Sequence, residues 1–88
     1  MKTRQLVVRN EGGMHLRVAA RIVEQVQRHR SKVRVACEGC PSAKADSIFE
    51  LLTLGARQGT PLNVTVEGPD EESALQALFE VFEGGAGI

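Results

Sequence analysis

The hydrophobic pattern of the chain switches repeatedly between strand-like and helix-like periods. Thr3 to Arg9, rich in β-branched residues and bounded by Asn10-Glu11-Gly12-Gly13, predicts a first strand. From Leu16 to about Arg28 the apolar positions Ala19, Ile22, Val23 and Val26 follow the spacing of an amphipathic helix, with Arg17, Arg21 and Arg28 on its wet side. Period two returns over Lys32–Cys37, which turns Val33, Val35 and Cys37 inward. The turn Glu38-Gly39-Cys40-Pro41 then leads into a short third strand around Ser42 to Ala45. Ser47-Ile48-Phe49-Glu50 has the S-x-x-E form of a capping box and predicts a short helix through Leu54 that stops at Gly55. Leu62, Val64 and Val66 alternate as a fourth strand. Gly68-Pro69-Asp70-Glu71-Glu72 opens a last helix with acids at its positive end, and Ala74, Leu75, Leu78, Val81 and Phe82 form its buried stripe.

The resulting order is β-α-β-β-α-β-α. A tight turn between the second and third strands forces that pair antiparallel, which argues against a doubly wound parallel sheet. The predicted class is α+β, an open-faced sandwich in which a four-stranded antiparallel sheet is covered on one face by three helices. Eighty-eight residues leave room for one domain, residues 1–88, with 84–88 as a frayed tail.

Composition narrows the function classes. With 42% hydrophobic and 25% charged residues the chain is globular, which excludes a disordered or fibrous protein. Its apolar runs of three or four residues are far short of the roughly 20 that span a bilayer, and the N-terminus has no signal-peptide hydrophobic region, so a cytoplasmic protein without membrane insertion is expected. Net charge is zero, yet residues 1–44 carry ten Lys/Arg against three Asp/Glu and residues 45–88 carry one against eight. Arg17, Arg21, Arg28, Arg30 and Lys32 lie on or beside the first helix, which favours an acidic partner or a bound phosphate there. Nucleic acid is disfavoured, because the only aromatics are three Phe in the acidic half, away from the basic residues.

The most informative stretch is Asn10-Glu11-Gly12-Gly13-Met14-His15-Leu16-Arg17-Val18-Ala19-Ala20. A glycine pair delivers a histidine to the start of a helix, two residues before an arginine. Free backbone N–H groups and the helix dipole attract phosphate there, and a guanidinium adds charge-assisted bonds to its oxygens. A neutral imidazole nitrogen is a usable nucleophile near pH 7, which makes His15 a candidate phosphoryl acceptor. The plainer alternative is a histidine that only precedes the helix.

Beyond this physical reading, the chain resembles the histidine-containing phosphocarrier (HPr) family of the bacterial phosphoenolpyruvate-dependent phosphotransferase system, over residues 2–83. The family signature Gly-Leu-His-Ala-Arg-Pro-Ala is matched by Gly13-Met14-His15-Leu16-Arg17-Val18-Ala19. A second signature, serine followed by an apolar helix, is similar to Ser47–Leu54, and Gly68–Leu75 is similar to the opening of the family's last helix. The resemblance implies that His15 is phosphorylated on Nδ1 by enzyme I and passes the group to a downstream acceptor of the enzyme IIA type. It also implies that Arg17 contacts the phosphoryl group and that a monomer docks partners through Leu16, Ala20, Ile48, Phe49 and Leu52. Ile48 and Phe49 are equally readable as core. In some family members a dedicated kinase modifies the serine at the position of Ser47, so a serine kinase and phosphatase join the expected partners. No cofactor or metal is implied, and the carrier is the substrate of its partner enzymes rather than a stand-alone enzyme.

Two departures stand at the signature: Val18 replaces the family proline, which would fix φ in the first helical turn, and Leu16 replaces a small residue. Pro69-Asp70-Glu71-Glu72 and Ala45-Asp46-Ser47 look closer to the nitrogen-related branch than to the sugar-uptake branch. Cys37-Glu38-Gly39-Cys40 has C-x-x-C spacing, but zinc would need further ligands and the pair spans a turn rather than a helix start, so both cysteines are read as incidental, with Cys37 buried. His29 is read as a solvated residue favourable to the helix dipole. The competing function is a regulatory HPr-like binder whose phosphorylation on His15 or Ser47 only switches partner affinity.

Overall fold

The computed structural model describes residues 1–9, 11–39 and 42–84. Seven elements follow the expected order: β1 (Lys2–Val7), α1 (Leu16–Gln27), β2 (Lys32–Cys37), β3 (Ala43–Lys44), α2 (Ile48–Thr53), β4 (Pro61–Glu67) and α3 (Glu71–Glu83). The strands form one antiparallel sheet in the order β1-β4-β2-β3. Strand β4 lies inside the sheet, between β1 and β2, and its inward residues Leu62, Val64 and Val66 are fully buried. The expected turn residues Asn10, Cys40 and Pro41 and most of the expected tail, residues 85–88, lie outside the described residues.

The core lies between the sheet and the helices. Alternate strand residues Leu6, Val33, Val35, Ala43, Leu62, Val64 and Val66 face the buried stripes of α1 and α3 and Leu51 of α2. All five stripe positions read for α3 are buried. In α1, Val18 joins the four expected positions, so the residue that replaces the family proline fills core.

Several details differ from expectation. Strand β1 ends at Val7 instead of Arg9, because Val8 pairs with the segment ahead of β4, its N–H donating to the Thr60 carbonyl (3.1 Å) and its carbonyl accepting from Gly59 N–H (2.7 Å). Strand β3 keeps only Ala43–Lys44. The capping box is half formed: Ser47 Oγ accepts from Glu50 N–H (3.2 Å), but Glu50 Oε1 accepts from Lys44 N–H (3.0 Å). The Ser47 N–H donates instead to the Lys44 carbonyl (3.1 Å), leaving the Glu50 carboxylate to tie α2 to β3. Cys37 is half-buried at the end of β2, where helix cover thins, and is disulfide-bonded rather than a buried thiol. His29 is likewise half-buried rather than solvated. Its Nδ1 meets the Gln25 carbonyl at 2.6 Å and its Nε2 the Ser73 hydroxyl at 3.3 Å, so the ring joins the end of α1 to the start of α3.

Candidate phosphoryl-transfer site

His15 is the N-cap of α1, with extended backbone (φ −118°, ψ −179°). Such a residue turns its side chain back over the first turn, where N–H groups have no intrahelical partner. His15 Nδ1 accepts from the Arg17 backbone N–H at 3.2 Å. An accepting nitrogen carries no proton, so the neutral ring holds its hydrogen on Nε2 and keeps the Nδ1 lone pair at the positive end of the helix. The ring packs against Gly12, where a Cβ would stand 2.6 Å from His15 Cδ2.

Gly13 adopts φ +67°, a conformation that side chains rarely take, and a Cβ there would stand 2.5 Å from the Ala56 carbonyl oxygen. That close approach lets the Met14 N–H donate to the same oxygen at 2.8 Å. Met14 is thereby buried in the core while His15 emerges half-exposed. The segment Gly55–Thr60 is thus the second wall of the histidine loop, a role that reading Gly55 only as a helix stop had missed. Its trace in the sequence was the paired Gly55 and Gly59, both at positive φ.

Around the histidine the surface is basic and apolar. Arg17 and Arg21 are exposed, and neither guanidinium makes a hydrogen bond or ion pair with a described residue. Arg28, further along, pairs with Glu24 at 3.7 Å. Leu16 is 63% and Phe49 76% exposed, and Leu52 and Ala20 are exposed as well. Ile48 is half-buried against the core, so of the two residues read as either core or surface, Phe49 is surface and Ile48 lies between. Helices α1 and α2 pack against each other, so these side chains lie on the surface of one helix pair. Ser47 caps α2 two residues before Phe49.

The family comparison agrees with this geometry. The family described as "PTS HPr component phosphorylation site" matches residues 2–84. The chain belongs to the HPr family. Phosphocarrier protein HPr of Xylella fastidiosa is 36% identical over 83 residues, covering 94% of this chain and 92% of that protein. Phosphocarrier protein NPr of Proteus mirabilis is 32% identical over 82 residues, covering 93% and 91%. The family thus reaches this chain from relatives of both names. In structure, HPr of Thermoanaerobacter tengcongensis superposes with a TM-score of 0.93 at 32% identity, covering 100% of this chain and 98% of that one. The chain is accordingly a phosphoryl carrier of the phosphotransferase system with the HPr open-faced sandwich fold. No helix among the described residues is long and apolar enough to cross a membrane.

Proposed function

We propose that His15 carries the phosphoryl group on Nδ1, receiving it from enzyme I and delivering it to an enzyme IIA-type acceptor, with the chain acting as a cytoplasmic monomer. The observation that carries this reading is the Arg17 N–H···Nδ1 hydrogen bond, which leaves that nitrogen unprotonated and facing unpaired helix donors. In transfer, the Nδ1 lone pair attacks phosphorus and the bond to the donor's leaving atom breaks, its electron pair going with the donor. The Arg17 N–H then changes partner from the ring nitrogen to a phosphoryl oxygen. The Arg17 guanidinium, free of described partners, supplies charge-assisted bonds to the other oxygens. Leu16, Ala20, Phe49 and Leu52, with the edge of Ile48, form the apolar rim on which the partner proteins seat.

Incubation with enzyme I and phosphoenolpyruvate, followed by intact mass, tests the reading. Wild type gains one phosphoryl group that is acid-labile and base-stable, and His15→Ala gains none while keeping its fold. Phosphate on His29, or on His15→Ala, would sink the assignment. Pure regulatory binding would give partner affinity that depends on phosphate but no onward transfer from His15.

Regulation at Ser47 is the second element of this proposal, supported by the serine's place beside the exposed Phe49. A phosphate there is compatible with the start of α2, so its effect falls on docking rather than folding. Ser47→Asp folds normally and is phosphorylated on His15 more slowly, with the defect shrinking as salt rises. Equal rates at low salt would leave Ser47 as a cap alone.

A further inference from the structure

We infer that Arg57 is a second phosphoryl-contacting cation for the group held by His15. This rests on the carrier reading above. Arg57 is the only Lys or Arg after Lys44, in a half of the chain with eight acids. It is also the cation placed against the histidine loop: a Cβ built on Gly13 would stand 2.9 Å from Arg57 Cα. Gly13 is two residues from His15, and two peptide units span at most about 7.6 Å, so the Arg57 and His15 backbones are about 12 Å apart at the very most. An extended arginine and a phosphorylated imidazole together cover that separation.

The backbone at Arg57 is held in place from several directions. Its N–H donates to Thr60 Oγ1 (3.1 Å) and its carbonyl accepts from Thr60 N–H (3.0 Å). On either side, the Ala56 carbonyl accepts from Met14 N–H and Gln58 Nε2 donates to the Arg9 carbonyl (3.0 Å). The anchoring uses backbone and neighbouring side chains only. The Arg57 side chain is exposed, and its guanidinium makes no hydrogen bond or ion pair with any described residue. A cation on a fixed backbone, with an uncommitted head beside a nucleophile that acquires a dianion, is suited to binding that dianion.

Phosphohistidine breakdown passes through a loose transition state in which negative charge leaves the phosphoryl oxygens for the departing group. A guanidinium on those oxygens therefore stabilises the phosphorylated protein more than its transition state for hydrolysis. The test uses phosphoramidate, a small donor that needs no docking surface: its P–N bond breaks, ammonia leaves with the electron pair, and the Nδ1–P bond forms. Once the reagent is removed, phosphorus NMR follows the decay of the phosphorylated protein. Arg57→Ala shortens the phosphohistidine lifetime about fivefold, the scale of one exposed charge pair, and Arg57→Lys restores part of it. An unchanged lifetime in Arg57→Ala overturns the inference, even if transfer from enzyme I slows, because Arg57 would then be a docking charge only. Failure of wild-type His15 to accept phosphate from either phosphoramidate or enzyme I would overturn the carrier reading itself.

Discussion

Along β1 and α3 the basic and acidic halves of the chain meet and cancel, whereas around the starts of α1 and α2 the fold leaves cations and apolar side chains uncovered. On the first side Lys2 pairs with Glu72 (3.1 Å), Arg9 with Glu83 (2.6 Å), and the N-terminal amine with Glu71 (3.1 Å), while Arg4 lies over the Phe79 ring. At the other end Arg17, Arg21 and Arg57 have no charged partner among the described residues, and Leu16 and Phe49 face solvent. Exposed pairs of the first kind are screened by water and contribute little, so that side closes the fold mainly through its buried stripe. The uncovered end retains unspent interactions, which is what a surface that binds phosphate and partner proteins requires.

Truncation separates the two regions most sharply. Leu78, 1% exposed on α3, loses about 2–5 kcal/mol of stability as Leu78→Ala, measured by denaturant melts, while its folded fraction still accepts phosphate. Phe49→Ala stays within about 0.5 kcal/mol of wild type, because the ring is already in water. Its loss appears instead as weaker transfer from enzyme I at limiting carrier concentration. A stability loss in Phe49→Ala comparable to that of Leu78→Ala would erase the distinction.

Gly13 lies at the functional end, where its close approach to Ala56 sets the histidine loop, and breaking it tests whether that loop also contributes to stability. Gly13→Ala places a side chain at φ +67° and against the Ala56 carbonyl, backbone that cannot swing away. Strain of this kind costs on the order of 1–3 kcal/mol. The expected result is a lower Tm together with slower His15 phosphorylation, since the Met14 bond to Ala56 that sets the loop is disturbed. A normal Tm would mean the two walls are held by something other than this contact.

Much of this contrast was legible in the sequence. The period-two and helical spacings, with the turn ahead of β3 and the Ser47–Glu50 capping signature, located all seven elements, and the Gly-Met-His-Leu-Arg run placed His15 at a helix start. What escaped were contacts between segments far apart in sequence. Strand order, the His29 bond to Ser73 and the Gly55–Thr60 wall behind Gly13 each join distant residues, and local periodicity carries no record of them; the capping box was half formed for a local reason, the turn that brings Lys44 N–H to the Glu50 carboxylate. Phe49 was ambiguous for a related reason: in a six-residue helix, only the neighbour that covers one face decides which apolar residues are left over, and here Leu51 took the core.

Val18 sharpens the comparison at smaller scale, because it sits at the functional end yet is 4% exposed. It is the third residue of α1, where the N–H has no intrahelical partner to lose. Val18→Pro restricts the unfolded chain by up to about 1 kcal/mol and gives up part of the valine's packing, so the Tm holds level or rises slightly. Phosphoryl transfer speeds up if a stiffer first turn holds the phosphate donors in place. A large drop in Tm would show that the turn cannot adopt the proline geometry.

The smallest effect concerns the neutralised side and its acid sensitivity. Asp70 precedes α3 without capping it; instead its carboxylate accepts from Ser31 Oγ (2.5 Å) and from Arg30 N–H (2.9 Å), tying the start of α3 to the chain leaving α1. The Ser31 hydroxyl first, and the Arg30 N–H second, hold the Asp70 carboxyl below its ordinary value of 3.8. A carboxyl with a lowered folded-state pKa adds stability at pH values above its unfolded pKa, and that contribution disappears as pH falls through the folded value. Glu71, lowered first by the N-terminal amine and then by the Gly68 N–H, acts in the same direction. Asp70→Asn keeps an acceptor for Ser31 but removes the charge, so it is less stable than wild type at pH 7. The gap between the two proteins in thermal melts should narrow as pH drops below about 4, where the unfolded chain begins to take up the proton, and close as pH falls through the lowered folded-state value. A gap that stays constant from pH 7 to pH 2.5 would mean that Asp70 acts by shape and hydrogen bonding alone, and that the ionic pairing of β1 and α3 does not extend to the join with α1.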